Sequence, residues 1–245
     1  MLELFRLDHE LTFPAVELAL NEPNGLLAFG GDLSPQRLVH AYHQGIFPWF
    51  SEGEPLLWWS PDPRGIIYTQ DFQASRSLKK SIRKNTFSVT MNMDFISVIQ
   101  QCANIPRQKI INNQQEYANT TWITEEMIGS YLSLHQQGWA HSVEVWDEAG
   151  ELAGGLYGIA INGGFCGESM FHLKTDASKA AFWALIVHMR SFGLTFIDCQ
   201  MMNPHLATLG CREIPRKQFI KMWREAILKK ISSDCWRQQS LRFEL

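Results

Sequence analysis

From about residue 66 the spacing of apolar positions is regular enough to read as a series of elements. "SRSLKKSIRK" (75–84) sets Leu78 and Ile82 four apart, on one face of a short helix, with Ser75 in the N-cap position. "FSVTM" (87–91) alternates with period two, as a strand does. "MDFISVIQQCA" (93–103) returns to helical spacing. Thr124 caps a further helix predicted to run to about Gln137, with Glu125 and Glu126 near its positive end. Three strands follow as a meander, "HSVEVW", "ELAGGLYGIAI" and "GFCGESMF", joined by the hairpin-type connections "DEAG" and "NGG". "ASKAAFWALIVHMRSF" predicts a strongly apolar helix capped by Asp176 and ended by Gly193. "TFIDCQ" then reads as a buried strand, and a last helix covers about 215–230. The pattern is that of an α/β (α+β) fold: a mixed, largely antiparallel sheet flanked by helices.

The first 65 residues read differently. "EPNGLLAFGGDLSP" carries two turn signals, P-N-G and G-G-D. Ser34 reads as an N-cap with Pro35 at the first helical position, Leu38, Ala41 and Tyr42 form an apolar stripe, and Gly45 fits the stop. The proline-dense segment "IFPWFSEGEPLLWWSPDPRG" argues against regular structure while its aromatics demand burial or a ligand. Residues 1–65 are therefore expected to form a small loop-rich N-terminal domain, and 66–245 the larger one. Residues 104–121, polar and rich in Asn and Gln, read as an exposed loop.

Composition narrows the class. Of 245 residues 45% are hydrophobic and 19% charged, enough core for a folded chain and too few charges for a disordered one. No apolar run reaches the length of a membrane span, and the start lacks the basic and apolar regions of a signal peptide. Five scattered cysteines without C-x-x-C suggest neither a disulfide framework nor a zinc site, so a reducing cytoplasm is the expected setting. With a net charge of −3, contact with nucleic acid must rest on a local patch.

Such a patch is present. Arg76, Lys79, Lys80, Arg83 and Lys84 fall on one helical face with no acid between them, and the last helix repeats the bias with Arg216, Lys217, Lys221, Arg224, Lys229 and Lys230. A solvated helix face explains any generic basic run; five uninterrupted cations favour a phosphate backbone. Loop tryptophans Trp49, Trp58, Trp59 and Trp122 suit either a local core or the stacking of unpaired bases. In "FIDCQ", Asp198 and Gln200 are expected to share one face while Ile197 and Cys199 take the other. Glu168 of "GESMF" adds a third polar side chain to the same apolar sheet. Polar groups in such strands are costly unless satisfied, and three of them point to a polar site.

Together these stretches resemble the leucyl/phenylalanyl-tRNA–protein transferase family. The resemblance rests on "EPNGLLAFGGDLSPQRLVHAYHQGIFPWF", "LWWSPDPRG", "TWIT", "HSVEVW", "GGLYG", "FCGESMF", "ASKAAF", "FIDCQ" and "HLATLGCREIPR", in order along nearly the whole chain. It implies transfer of Leu or Phe, sometimes Met, from aminoacyl-tRNA to the α-amine of proteins beginning with Arg or Lys, which creates a destabilising N-terminus for the bacterial N-degron pathway. It also implies a larger domain like the GNAT acetyltransferase fold. The acetyl-CoA pyrophosphate pattern [QR]-x-x-G-x-[GA] is missing; "RSFGLT" comes nearest, with Thr at its final position.

The aminoacyl ester is already activated, so no ATP, metal or other cofactor is expected. The attacking amine has an ordinary pKa of about 7.7–8.0 and needs placement and a hydrogen-bond acceptor. Asp198 and Gln200 are the candidates for that role, with Asp198 also a source of negative charge for the cationic acceptor. By resemblance, Leu156, Leu185 and Met189 line the donor side-chain pocket; Trp49 and Trp122 are the candidates for stacking near the terminal adenosine, and Glu168 for holding the aminoacyl amine or a ribose hydroxyl. The helix at 75–84 holds the acceptor stem. Three rivals remain at this level: an acyl-CoA-dependent acyltransferase, a hydrolase using Cys199 or Cys166 with His205, and a non-catalytic RNA-binding module.

Overall fold

Apolar alternation from residue 64 onward assembles one eight-stranded sheet, and the shorter runs before it assemble a second sheet of four strands. The computed structural model describes residues 4–105, 107–111, 114–118 and 121–244. Among these residues the strands are, in chain order, β1 (Phe5–Leu7), β2 (Leu26–Gly30), β3 (Phe47–Pro48), β4 (Leu57–Trp59), β5 (Arg64–Tyr68), β6 (Ser88–Met91), β7 (Arg107–Ile111), β8 (Gln114–Ala118), β9 (Ala140–Trp146), β10 (Leu152–Ile161), β11 (Gly164–His172), β12 (Phe196–Gln200), β13 (Arg212–Ile214) and β14 (Gln239–Leu241). The helices are α1 (Pro35–His43), α2 (Arg76–Asn85), α3 (Phe95–Asn104), α4 (Glu125–Gln136), α5 (Ala177–Ser191), α6 (Pro204–Thr208) and α7 (Arg216–Leu228).

The small sheet runs β1–β2–β4–β3, and its short strands fit between the turns and prolines of the N-terminal segment. Ser34 Oγ caps α1 by accepting from Arg37 N at 3.4 Å, and Gly45 follows the helix with φ +73°. Trp58 and Trp59 are core residues: their indole N–H groups donate to the carbonyls of Gly30 and Trp49 at 2.9 and 2.6 Å. The core begun here does not stop at residue 65. It continues from Leu38 and Tyr42 to Phe219 and Trp223 of α7 and to Tyr131 and Tyr157.

The large sheet runs β13–β5–β12–β11–β10–β9–β6–β14 and is antiparallel except between β11 and β12. That parallel pair needs a crossover, which α5 supplies. Leu156 and Ala160 of β10 join the core of α5, whereas Tyr157 and Ile159 join that of α3 and α4, so period-two alternation feeds both faces. The mixed, largely antiparallel sheet with helices on both faces matches the expected class.

Two local expectations are corrected. Asp176 precedes α5 in a left-handed conformation (φ +66°) and makes no side-chain cap; its carboxylate instead meets Lys179 Nζ at 3.2 Å. Within 104–121, β7 and β8 pair antiparallel from Arg107↔Ala118 to Ile111↔Gln114, where an exposed loop was expected. A ladder held by backbone bonds needs no apolar alternation, so the polar composition concealed it. Residues 106, 112–113 and 119–120 of that stretch lie outside the described residues, as do 1–3 and 245. No described helix is long and apolar enough to cross a membrane.

Candidate active site

β11 and β12 pair only at Phe165↔Ile197 and Cys166↔Asp198. Beyond that point the two strands no longer pair with each other, and a cavity of about 650 Å³ lies against the parted ends. Its wall includes Gly167, Glu168, Ser169 and Met170 from β11 and Ile197, Cys199 and Gln200 from β12. Volumes of roughly 300–1,000 Å³ are usual for small-molecule sites.

Asp198 is not on this wall. The register between β12 and β5 shifts between Asp198 and Gln200, and Gln200 itself has φ +63°. This bulge breaks the alternation on which a shared face depended. Gln200 turns to the cavity beside Ile197 and Cys199, while Asp198 points into the core, 1% exposed. Gly65, opposite Gln200, makes the bend possible: a Cβ there would lie 3.0 Å from Met202 N.

What Asp198 meets is Arg64. Arg64 Nε donates to Asp198 Oδ1 and Nη2 to Oδ2, both at 2.7 Å, a bidentate pair. The guanidinium lies between the rings of Phe47 and Phe219, 4.8 and 4.5 Å from their centroids. Asp198 Oδ1 also accepts from Gln200 N at 3.0 Å, so the ion pair holds the bulged residue by its backbone. Sequence reasoning missed Arg64; its signal was a cation inside the otherwise apolar "RGIIY", where it required a buried partner.

Glu168 faces Gln200 across the parted strands. Gln200 Nε2 donates to Glu168 Oε1 at 3.0 Å, and Cys166 Sγ donates to the same oxygen at 3.4 Å. Tyr131 Oη donates to Oε2 at 3.2 Å. Burial pushes the Glu168 carboxyl up to about 7, and hydrogen bonding from Tyr42, Cys166 and Tyr131 acts against the rise. With its nitrogen so engaged, the Gln200 amide carbonyl accepts no hydrogen bond among the described residues.

An apolar part of the wall is formed by Leu156 from β10, Phe182 and Leu185 from α5, with Met202 and Leu206, while Ser51, Thr121, Asn203 and His205 add polar groups elsewhere on it. Met189, expected beside Leu185, is fully buried one turn further along α5 and does not reach the wall; Phe182, one turn the other way, does. Trp49 and Trp122 both border the cavity, and Trp49 is 40% exposed. On α2, Arg76, Lys80, Arg83 and Lys84 are exposed, while Lys79 is half-buried with Nζ 5.8 Å from the centre of the Trp183 ring. None of the five pairs with an acid among the described residues.

A cysteine hydrolase does not fit. Burial holds the Cys166 thiol well above its usual range, and a hydrogen bond with Cys211, then burial, does the same to Cys199. His205 Nε2 contacts Met170 Sδ at 3.3 Å rather than a thiol. A greasy cavity with an amide at its polar end can bring an already activated acyl group to an acceptor without a protein nucleophile.

Residues 66–224 match the family described as leucyl/phenylalanyl-tRNA protein transferase, and residues 31–62 match its N-terminal domain. A "Leucyl/phenylalanyl-tRNA--protein transferase" of Pseudoalteromonas atlantica is 52% identical over 241 residues, covering 98% of this chain and 99% of that protein. Proteins of the same name from Shewanella denitrificans and Pseudomonas fluorescens are 48% identical over 242 residues (99% of each chain) and 54% over 211 (86% of this chain, 89% of that protein). Among solved structures, L-PGS from Bacillus licheniformis overlaps 68% of this chain and 50% of its own at a TM-score of 0.37 and 11% identity, too slight a likeness to argue from. The chain belongs to the leucyl/phenylalanyl-tRNA–protein transferase family.

Proposed function

We propose that this aminoacyltransferase moves leucine or phenylalanine, and to a lesser extent methionine, from aminoacyl-tRNA to the α-amine of proteins beginning with Arg or Lys. The product would enter N-degron degradation in the cytoplasm, where charged tRNA is made. The observation that carries the reading is the cavity, apolar at Leu156, Phe182 and Leu185 and polar at Gln200 and Glu168. The donor side chain lies among the apolar groups, which select by shape. Trp49 and Trp122 stack on the terminal bases, and α2 holds the acceptor stem. This division keeps Leu156 and Leu185 as specificity residues and sets Met189 behind them.

In the reaction, the neutral α-amine attacks the ester carbonyl. The new C–N bond forms, the bond from the carbonyl to the ribose oxygen breaks, and the amine proton ends on that oxygen. Gln200 presents its amide carbonyl to the amine N–H and aims the lone pair. Asp198 acts through Gln200 and not on the amine itself. Because Arg64 neutralises Asp198, the negative charge that favours a cationic acceptor comes from Glu168, the one carboxylate on the cavity wall among the described residues.

The test is incubation with Leu-tRNA and peptides that begin with Arg, Lys or Ala, read by mass. One added leucine on the Arg and Lys peptides, lost after RNase treatment of the donor, is expected. Transfer indifferent to RNase would favour an acyl-CoA donor, and equal transfer to the Ala peptide would refute the acceptor choice.

A further inference from the structure

Behind Glu168 the polar groups continue into the N-terminal segment. Tyr131 Oη, which donates to Glu168, lies 2.5 Å from Tyr42 Oη. Tyr42 belongs to α1 and Tyr131 to α4, and both are buried, at 2% and 0% exposure. Tyr42 is held from its backbone too, since Trp223 Nε1 donates to its carbonyl at 2.8 Å. Resting on the transfer reaction proposed above, we propose that Tyr131 and Tyr42 are positioning residues: two hydroxyls in series that fix Glu168 against Gln200 and make α1 part of the transfer site.

A core needs no phenol here. Phenylalanine would fill either position without a buried hydroxyl to satisfy, so the hydroxyls call for a reason. Burial, and next the Glu168 charge, hold both phenols well above their usual range, so they remain O–H donors. The groups that meet the carboxylate oxygens are all donors: Tyr131, Cys166 and Gln200 Nε2. That set matches an ionised Glu168, with Tyr42 donating to Tyr131 and Tyr131 to Oε2. A protonated Glu168 can reverse the series, with the acid donating to Tyr131 and Tyr131 to Tyr42. No heavy atom need move, but the inward pull on Oε2 is lost. The ionised arrangement keeps the Gln200 amide nitrogen engaged and its carbonyl presented to the amine.

The titratable and charged groups facing Glu168 are Tyr42 from α1, Tyr131 from α4, Cys166 from its own strand, Asp198 from β12 and Arg64 from β5, with Tyr157 of β10 beside Tyr131. Asp198 and Arg64 neutralise one another at 2.7 Å, which leaves the hydroxyl series as the adjustable part of this environment.

Two readouts test the proposal, on the full-length chain. The first is the Glu168 side-chain carbon titrated by NMR in wild type, Tyr131→Phe and Tyr42→Phe, assigned with Glu168→Gln; it needs no activity. Tyr131→Phe is expected to raise the midpoint by about one unit, as removal of a donor to a carboxylate does. Tyr42→Phe should raise it too, and the double variant should fall short of the sum of the two, because the hydroxyls act in series on one carboxylate. The second readout is the pH profile of kcat/KM for leucyl transfer, whose acidic limb, set jointly by the acceptor amine and Glu168, should move upward in each single variant. An unmoved midpoint in both single variants, additive shifts in the double, or a rate loss uniform across pH would overturn the proposal. A wild-type chain that transfers nothing would refute the function instead, and the NMR titration would still decide the role of the tyrosines.

Discussion

At the scale of single residues, the site separates a group that touches substrate from groups that hold it. Gln200→Ala removes the cavity-facing amide and breaks no ion pair, so transfer should fall sharply while thermal stability stays near wild type. Asp198→Asn should lose both, because it leaves the Arg64 charge buried and unpaired, a cost of about 3–5 kcal/mol. Chemical denaturation alongside the mass assay distinguishes the two; an active, stable Asp198→Asn would remove the ion pair from the account. Gln200, Glu168 and Asp198 were legible in the sequence as polar residues in apolar strands. Their directions were not. Side-chain facing depends on register, and one bulged residue with positive φ reverses the alternation on which the reading relied. Tyr42 shows the converse difficulty: it fitted the apolar stripe of α1, and only the partner 89 residues away shows that its hydroxyl is used.

Among elements, α2 bears the electrostatic part of the account. Its exposed cations lie on a helix docked by Leu78 and Ile82, at 5% and 3% exposure, so charge reversal there should leave folding intact. Lys80→Glu and Arg83→Glu are expected to raise the KM for Leu-tRNA several-fold with kcat little changed. Each lost phosphate contact should flatten the slope of log affinity against log salt by about one. A salt dependence equal to wild type would show that α2 faces only solvent. This helix was legible in advance because its evidence is local: Ser75 accepts from Leu78 N at 3.1 Å, and helical spacing sets the charged face. The exception is Lys79, at the border of that face and over Trp183 of α5, a contact no local pattern contains. The β7–β8 ladder escaped notice because backbone pairing leaves no mark in a polar sequence.

For the whole molecule, burial of Glu168 couples the site to stability. Its carboxyl rises from an ordinary 4.5 to about 7 in the folded chain, so the native state binds the extra proton and stability falls as pH climbs through that interval. The penalty is absent below 4.5 and complete above 7. Glu168→Gln does not titrate. Its stability relative to wild type should therefore improve between pH 5 and pH 8 by about 2–3 kcal/mol in denaturant unfolding. A difference independent of pH would place Glu168 in contact with water. The fold class and the elements α2, β6, α3, α4, β9 to β11, α5, β12 and α7 followed from periodicity, whereas β5, β13 and β14 of the same sheet did not, and the shared core joining the N-terminal segment to α4 and α7 depends on contacts far apart in sequence. The most direct test of the account is a structure with a non-hydrolysable leucyl-adenosine analogue. It should place the leucine side chain among Leu156, Phe182 and Leu185, with the acyl carbonyl close enough to Gln200 for an amine between them to lie about 3–3.5 Å from the carbonyl carbon. An analogue bound with its side chain outside that cavity, or with its carbonyl turned away from Gln200, would contradict it.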